Sequence, residues 1–276
     1  MSTSNPSASE YIIHHITNWS HLGHAQDKIV DFNHLNVDTL IWSLLAAFLV
    51  ILILYSAARK ATSGVPGRFQ GLVEMMVEMV NEQAKAIIHG NISFIAPLAL
   101  TAFLFIVIMN TFDLIPVDFV PAALDFMGIT LNEHKYMRVV PTADINAPLG
   151  MALAIFFLMI FYGIKIKGMT GFVKELFSAP FGGHPALWIP NLSLNIIEYV
   201  AKTVSLGMRL FGNMFSGELV FLLIAMLGAS ATVFGFFGHL IAGSIWAIFH
   251  ILVILLQGYI FMMLTLVYLG QAHDHH

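Results

Sequence analysis

Residues 202–225 read KTVSLGMRLFGNMFSGELVFLLIA. Arg209 lies inside this stretch, and mostly apolar, proline-free sequence continues around it from 192 to 227. A charged side chain near a bilayer centre costs roughly 2.5–3.5 kcal/mol on insertion scales. Arginine cannot escape that cost by losing its proton, because its pKa stays above about 12. Something therefore requires a permanent positive charge inside a membrane. The alternative is an arginine snorkelling to the headgroups from a helix end. Apolar residues on both sides argue against it.

Composition places the rest of the chain in the same setting. Of its 276 residues 58% are hydrophobic and 10% charged, against about 25% charged in a soluble protein. The expected class is an all-α polytopic membrane protein. There is no cysteine, which excludes disulfides, thiolate nucleophiles and cysteine metal sites. No apolar run precedes Lys28, so a cleavable signal peptide is not expected.

A span needs about 20 mostly apolar residues. Residues 39–58 (TLIWSLLAAFLVILILYSAA), 92–112 and 145–164 meet that length, the last ending at Lys165. Two longer apolar segments follow, about 187–227 and about 236–269, and no Asp, Glu, Lys or Arg occurs between Glu218 and Asp274. A helix of about 40 residues is about 60 Å long, twice the hydrocarbon thickness. The only clear break signal is Gly228-Ala229-Ser230. The expected architecture is five membrane helices, the last two long, strongly tilted and paired as a hairpin. Packing against a partner must impose such tilt. Residues 71–85 (GLVEMMVEMVNEQAK) place Glu74, Glu78 and Glu82 four apart. That spacing predicts an amphipathic cytoplasmic helix, lying on the protein's own surface or against lipid, its acidic face unsuited to anionic headgroups.

Orientation follows the basic residues of short loops. Arg59, Lys60, Arg68 and Lys85 follow span one, and Lys165, Lys167 and Lys174 follow span three; Lys28, Lys135 and Arg138 lie on the other side. The expected organisation is an extracytoplasmic segment 1–36, one membrane domain 37–270 and a cytoplasmic tail 271–276. The loop 116–141 should be outside.

On a wheel of about 100° per residue, Ser205, Lys202, Glu198 and Asn213 fall within about 40° of Arg209, and Glu218 falls opposite. One helix thus offers a basic-polar face to one neighbour and a carboxylate to another. The final segment carries His250 and Gln257 seven residues apart, hence on about one face. In an antiparallel hairpin Glu218 and His250 can share a depth, as a proton relay or as two structural polar groups. Asp113, with Asn110 and Asp118, marks the outer end of span two; Arg138, Asp144 and Asn146 mark the start of span three. These are interfacial groups, a structural Arg–Asp pair, or functional, with Asp113 the deepest candidate. The terminal histidines (His14, His15, His21, His24, His34 and the AHDHH tail) fit no specific metal spacing. No phosphate loop, HExxH or nucleophile elbow is present.

The stretch 202–225 resembles the fifth helix of subunit a of bacterial F-type ATP synthase, and SIWAIFHILVILLQGYIFMMLTLVYL (244–269) is similar to its last helix. RKATSGVPGRFQ (59–70), IAPLALTAFLFIVIMNTFDLIPVDFVP (95–121) and RVVPTADIN (138–146) resemble further segments of that family. The similarity runs from about residue 37 to 270. It implies a non-catalytic stator subunit in the bacterial inner membrane, N-terminus periplasmic and C-terminus cytoplasmic. Its implied partners are a ring of c subunits, the b-subunit peripheral stalk, the rest of the synthase and membrane lipid. No cofactor, metal or nucleic acid is implied. Arg209 matches the family arginine that faces the ring between two half-channels. Asn213, Glu218, His250 and Gln257 match the entry side, Asp113 its outer mouth, and Glu198 and Ser205 the cytoplasmic exit. The rival reading, a self-contained ion-coupled transporter of a small solute, would call for internal repeats and discontinuous helices.

Overall fold

The computed structural model describes residues 12, 19–21, 35–88, 90–115, 119–126, 138–228 and 232–272. Among them the chain is helical, apart from turns and one isolated antiparallel bridge, Ser20 with Asn36. In chain order the helices are α1 (Val37–Arg59), α2 (Arg68–Ile87), α3 (Ile95–Thr111), α4 (Phe119–Phe126), α5 (Asn146–Ser178), α6 (Trp188–Gly228) and α7 (Val233–Gln271). Single 3-10 turns stand at Phe112–Leu114, Pro141–Ala143 and Pro185–Leu187. Five of these segments are long and apolar enough to cross a membrane. Lys28, Lys135, Asp118, residues 229–231 and the terminal histidines other than His21 lie outside the described residues.

Proline marks where three of these helices begin. Pro97, Pro148 and Pro190 are each the third residue of α3, α5 and α6. The first turn has no intrahelical partner for its N–H groups, so a residue lacking one costs nothing there. The two long segments are unbroken helices of 41 and 39 residues. α5 carries the expected third span and runs on past it. It does not stop at Lys165 but continues to Ser178, interrupted at Gly168, whose φ of 72° is left-handed backbone open in practice only to glycine. Lysines are good helix formers and their long stems reach polar surroundings, so Lys165 ends the apolar run without ending the helix.

The described residues fall into two compact units. One draws on Met1–Ile51, Phe105–Ala147 and Phe211–Gln257. Its small apolar core sets Val140 and Ala143 against Met214 and Val253. In the same unit the close of α6 meets the start of α7, where the His239 ring nitrogen lies 2.8 Å from the Ile224 carbonyl. The other unit draws on Leu52–Leu104, Pro148–Leu210 and Gly258–His276. There α2 buries Val73, Val80 and Ala84 and exposes Glu74, Glu78 and Glu82, the amphipathic division its spacing predicts. Its apolar face packs with Ile95, Ala96 and Ala99 of α3 and with Met262, Leu266 and Leu269 of α7. Alanine at three of these contacts lets helices approach closely, which membrane packing relies on.

Candidate functional site

The polar side chains of the first unit are arranged as pairs, each bridging two elements. Arg138 stands just before the 3-10 turn Pro141–Ala143 and reaches Glu218 on α6. Its Nε donates to both carboxylate oxygens at 3.2 and 3.1 Å, and an outer guanidinium nitrogen also holds Oε2. Both side chains are buried, 6% and 10% exposed. The guanidinium also lies 5.5 Å from the ring centre of Phe215, three residues before Glu218, so cation and carboxylate are held on one helix turn.

His250 on α7 belongs to a different pair. Its Nε2 stands 2.5 Å from Asp113 Oδ2, in the turn that closes α3. Both side chains are almost wholly buried. The contact is close but not an aligned hydrogen bond, and Nδ1 has no hydrogen-bond partner among the described residues. The ring fits edge-on against Phe221, 5.2 Å between centres, and beside Trp246 at 6.1 Å. Gly217 makes room for it: a Cβ there would come within 2.5 Å of His250 Cε1 and 3.0 Å of Nδ1. Any side chain at 217 must displace the imidazole.

That fit explains why Glu218 and His250 are not directly paired. α6 turns Gly217 towards the ring, and the next residue leaves the helix about 100° further round, towards Arg138. The Arg–Asp pair considered from sequence is instead an Arg–Glu pair. Asn213 donates to Gln257 Oε1 at 2.7 Å, joining α6 to α7 in the same unit. Near Asp113, Asn110 is fully buried and accepts from Thr142 at 2.7 Å, while its amide nitrogen has no hydrogen-bond partner among the described residues. Asp144 and Asn146 are tied together at the start of α5.

In the second unit Glu198 and Lys202 form an i,i+4 ion pair at 2.5 Å, and Lys202 also donates to Gln271 at 2.7 Å. Both line a cavity of ≈ 500 Å³ with Lys167, Glu175, Tyr199 and Tyr268. Arg209 differs from every other cation in the site. It is exposed, donates to Ser205 at 3.5 Å, and no carboxylate among the described residues pairs with it. Its neighbours Val204 and Met208 are 45% and 42% exposed. A permanent cation is therefore presented on an open face, beside exposed Ser205, Val204 and Met208, with no carboxylate paired to it among the described residues.

Sequence reading missed two contributors. Arg138 was legible as a charge near a membrane boundary but not as the partner of a carboxylate 80 residues away. Gly217 carries no signal of its own; its value depends on the imidazole it faces.

Comparison with known proteins gives one consistent relationship. A family model described as ATP synthase A chain matches residues 40–270. A protein named ATP synthase subunit a from Acidovorax sp. (strain JS42) is 53% identical, with 98% of each chain covered. The protein of that name from Paracidovorax citrulli (strain AAC00-1) is 52% identical, again over 98% of both. One named ATP synthase subunit a 2 from Hahella chejuensis (strain KCTC 2396) is 47% identical over the whole of both chains.

Proposed function

The chain belongs to the ATP synthase A chain family, and from that membership we propose how this proton-translocating stator subunit of an F-type synthase works. It provides two offset half-channels to a ring of carboxylate-bearing c subunits, with Arg209 as the electrostatic gate between them. The observation that carries this reading is the exposed Arg209 with no ion-pair partner among the described residues. A permanent charge facing the bilayer interior without a counter-charge is costly. Its partner then belongs to another chain, and a ring carboxylate supplies one at each step.

A deprotonated ring carboxylate is costly in lipid and tolerable beside a fixed cation. Arg209 therefore attracts each ring site after it releases its proton, and its charge repels a proton moving directly between half-channels. Asp113, His250, Glu218, Asn213 and Gln257 form the outer path. Glu198, Lys202 and Ser205 line the inner one, beside the ≈ 500 Å³ cavity. Each proton that crosses releases about 2.3 kcal/mol per 100 mV, enough to bias rotation. The chain does no covalent chemistry; catalysis belongs to the rest of the complex, which the b-subunit peripheral stalk connects to it. α6 and α7, each about 60 Å of helix, lie far from the membrane normal and follow the curved flank of the ring.

Reconstituted alone in liposomes, the purified chain is expected to conduct no ions and accumulate no solute, and to become proton-conducting only with ring and stalk subunits. Solute uptake by the chain alone would instead favour the transporter reading. Orientation is tested by labelling. Residues 1–36 and the loop 116–141 face the periplasm and 271–276 the cytoplasm. The chain has no cysteine of its own, so a cysteine replacing the exposed Phe126 should react with an impermeant reagent from the periplasmic side; reaction only from the cytoplasmic side reverses the topology.

A further inference from the structure

Asp38 stands in the first turn of α1 and has no exposed surface. An ionised carboxylate so placed must be compensated, and among the described residues its partners are all backbone N–H groups. Oδ1 accepts from the adjacent Thr39 at 2.8 Å, in the first turn of the helix, where unpaired N–H groups favour a negative charge. Oδ2 is used differently. It accepts from Trp19 at 2.9 Å and from Arg138 at 3.2 Å, residues 19 and 100 positions away. A residue that served only to start α1 would need neither.

Residues 138–140 have no helix of their own before the turn Pro141–Ala143. Such backbone has no internal ladder, so outside partners decide where it lies and which way its side chains leave it. At 142 the partner is Asn110; at 144 the Asp144 carboxylate accepts from Asn36 at 2.8 Å and Thr39 at 2.7 Å. At 138, the residue whose guanidinium holds Glu218, the partner is Asp38. A guanidinium is a rigid planar fork, and meeting both oxygens of one carboxylate needs the Cα in a particular place.

We propose that Asp38 is a positioning residue of the outer ion path: by pinning the Arg138 backbone it aims the guanidinium at Glu218. This rests on the reading of Glu218 as part of that path. Asp38 itself touches no transported ion. The start of α1 and the Trp19 backbone are thereby made part of the support of a site on α6.

The test is a double-mutant cycle in the assembled synthase, read as ATP-driven proton pumping in inverted vesicles per assembled complex. Asp38→Ala in the otherwise unchanged protein should lower pumping about tenfold, whereas in an Arg138→Lys background it should cost less than about threefold further. Lysine carries a point charge on a flexible stem and does not depend on the backbone's aim. Equal factors in both backgrounds would mean that Asp38 only stabilises the fold, and would overturn the proposal, as would unchanged pumping in Asp38→Ala. If Asp38→Ala fails to accumulate, Asp38→Asn keeps one acceptor and should show the same pattern with a smaller loss; failure of both to accumulate makes the residue structural and refutes the assignment. Glu218→Gln separates the two levels. Full pumping by that variant removes the path itself, while loss of pumping there with none in Asp38→Ala removes only the positioning role.

Discussion

Inverted vesicles carrying Arg209→Ala are expected to show no ATP-driven proton pumping at normal abundance of the chain, while passive proton leak through the assembled membrane sector is kept or raised. The two halves of this result have one cause. Without the cation, an ionised ring carboxylate has no counter-charge and cannot pass between half-channels, so coupled turnover stops. The same change removes the positive barrier to a continuous proton wire. Abundance should hold, because Arg209 is exposed and forms no ion pair among the described residues. Arg209→Lys should fail as well. A desolvated lysine can lose its proton and lacks the wide guanidinium fork. Measuring pumping and leak separately decides the matter, and normal pumping by the alanine variant would end the gate hypothesis.

The second large effect is expected at the Arg138–Glu218 pair, and it separates stability from transport. Arg138→Leu leaves the Glu218 carboxylate buried beside an apolar side chain. Removing one partner of a buried ion pair costs about 3–5 kcal/mol, whereas replacing both by apolar residues is often near neutral. The amount of chain recovered from membranes should therefore fall sharply in Arg138→Leu and return in Arg138→Leu/Glu218→Leu. Pumping should not return with it, because the double variant lacks the carboxylate assigned to the outer path. Immunodetection of the chain and pumping in the same vesicles provide both readings. A double variant that pumps normally would exclude Glu218 from the path; one as scarce as the single variant would mean that the pair is not what makes Arg138→Leu unstable.

Much of this protein is written locally in its sequence. The five spans follow from runs of apolar residues, because a bilayer leaves a backbone no partner outside its own helix. The amphipathic α2 follows from glutamates spaced by four. The unbroken lengths of α6 and α7 follow from apolar sequence without proline beyond the first turn, and the proposal for Arg209 starts from the cost of a charge that cannot be neutralised. Each of these depends on a residue's neighbours within a few helical turns. What needed the tertiary structure was the choice of partners. Sequence placed Glu218 and His250 at a shared depth, yet Glu218 meets Arg138 and His250 meets Asp113. It left Asp38 unnoticed at the start of a span, although that carboxylate collects backbone bonds from residues 19 and 138. It closed the third span at Lys165 and did not show the backbone break at Gly168 or the helical stretch that follows to Ser178. Hydropathy says that a helix buries a face; it does not say which side chain stands opposite. That depends on the rotation and register of one helix against another, which shape sets at points such as Gly217 against His250, where one absent Cβ decides where an imidazole can lie.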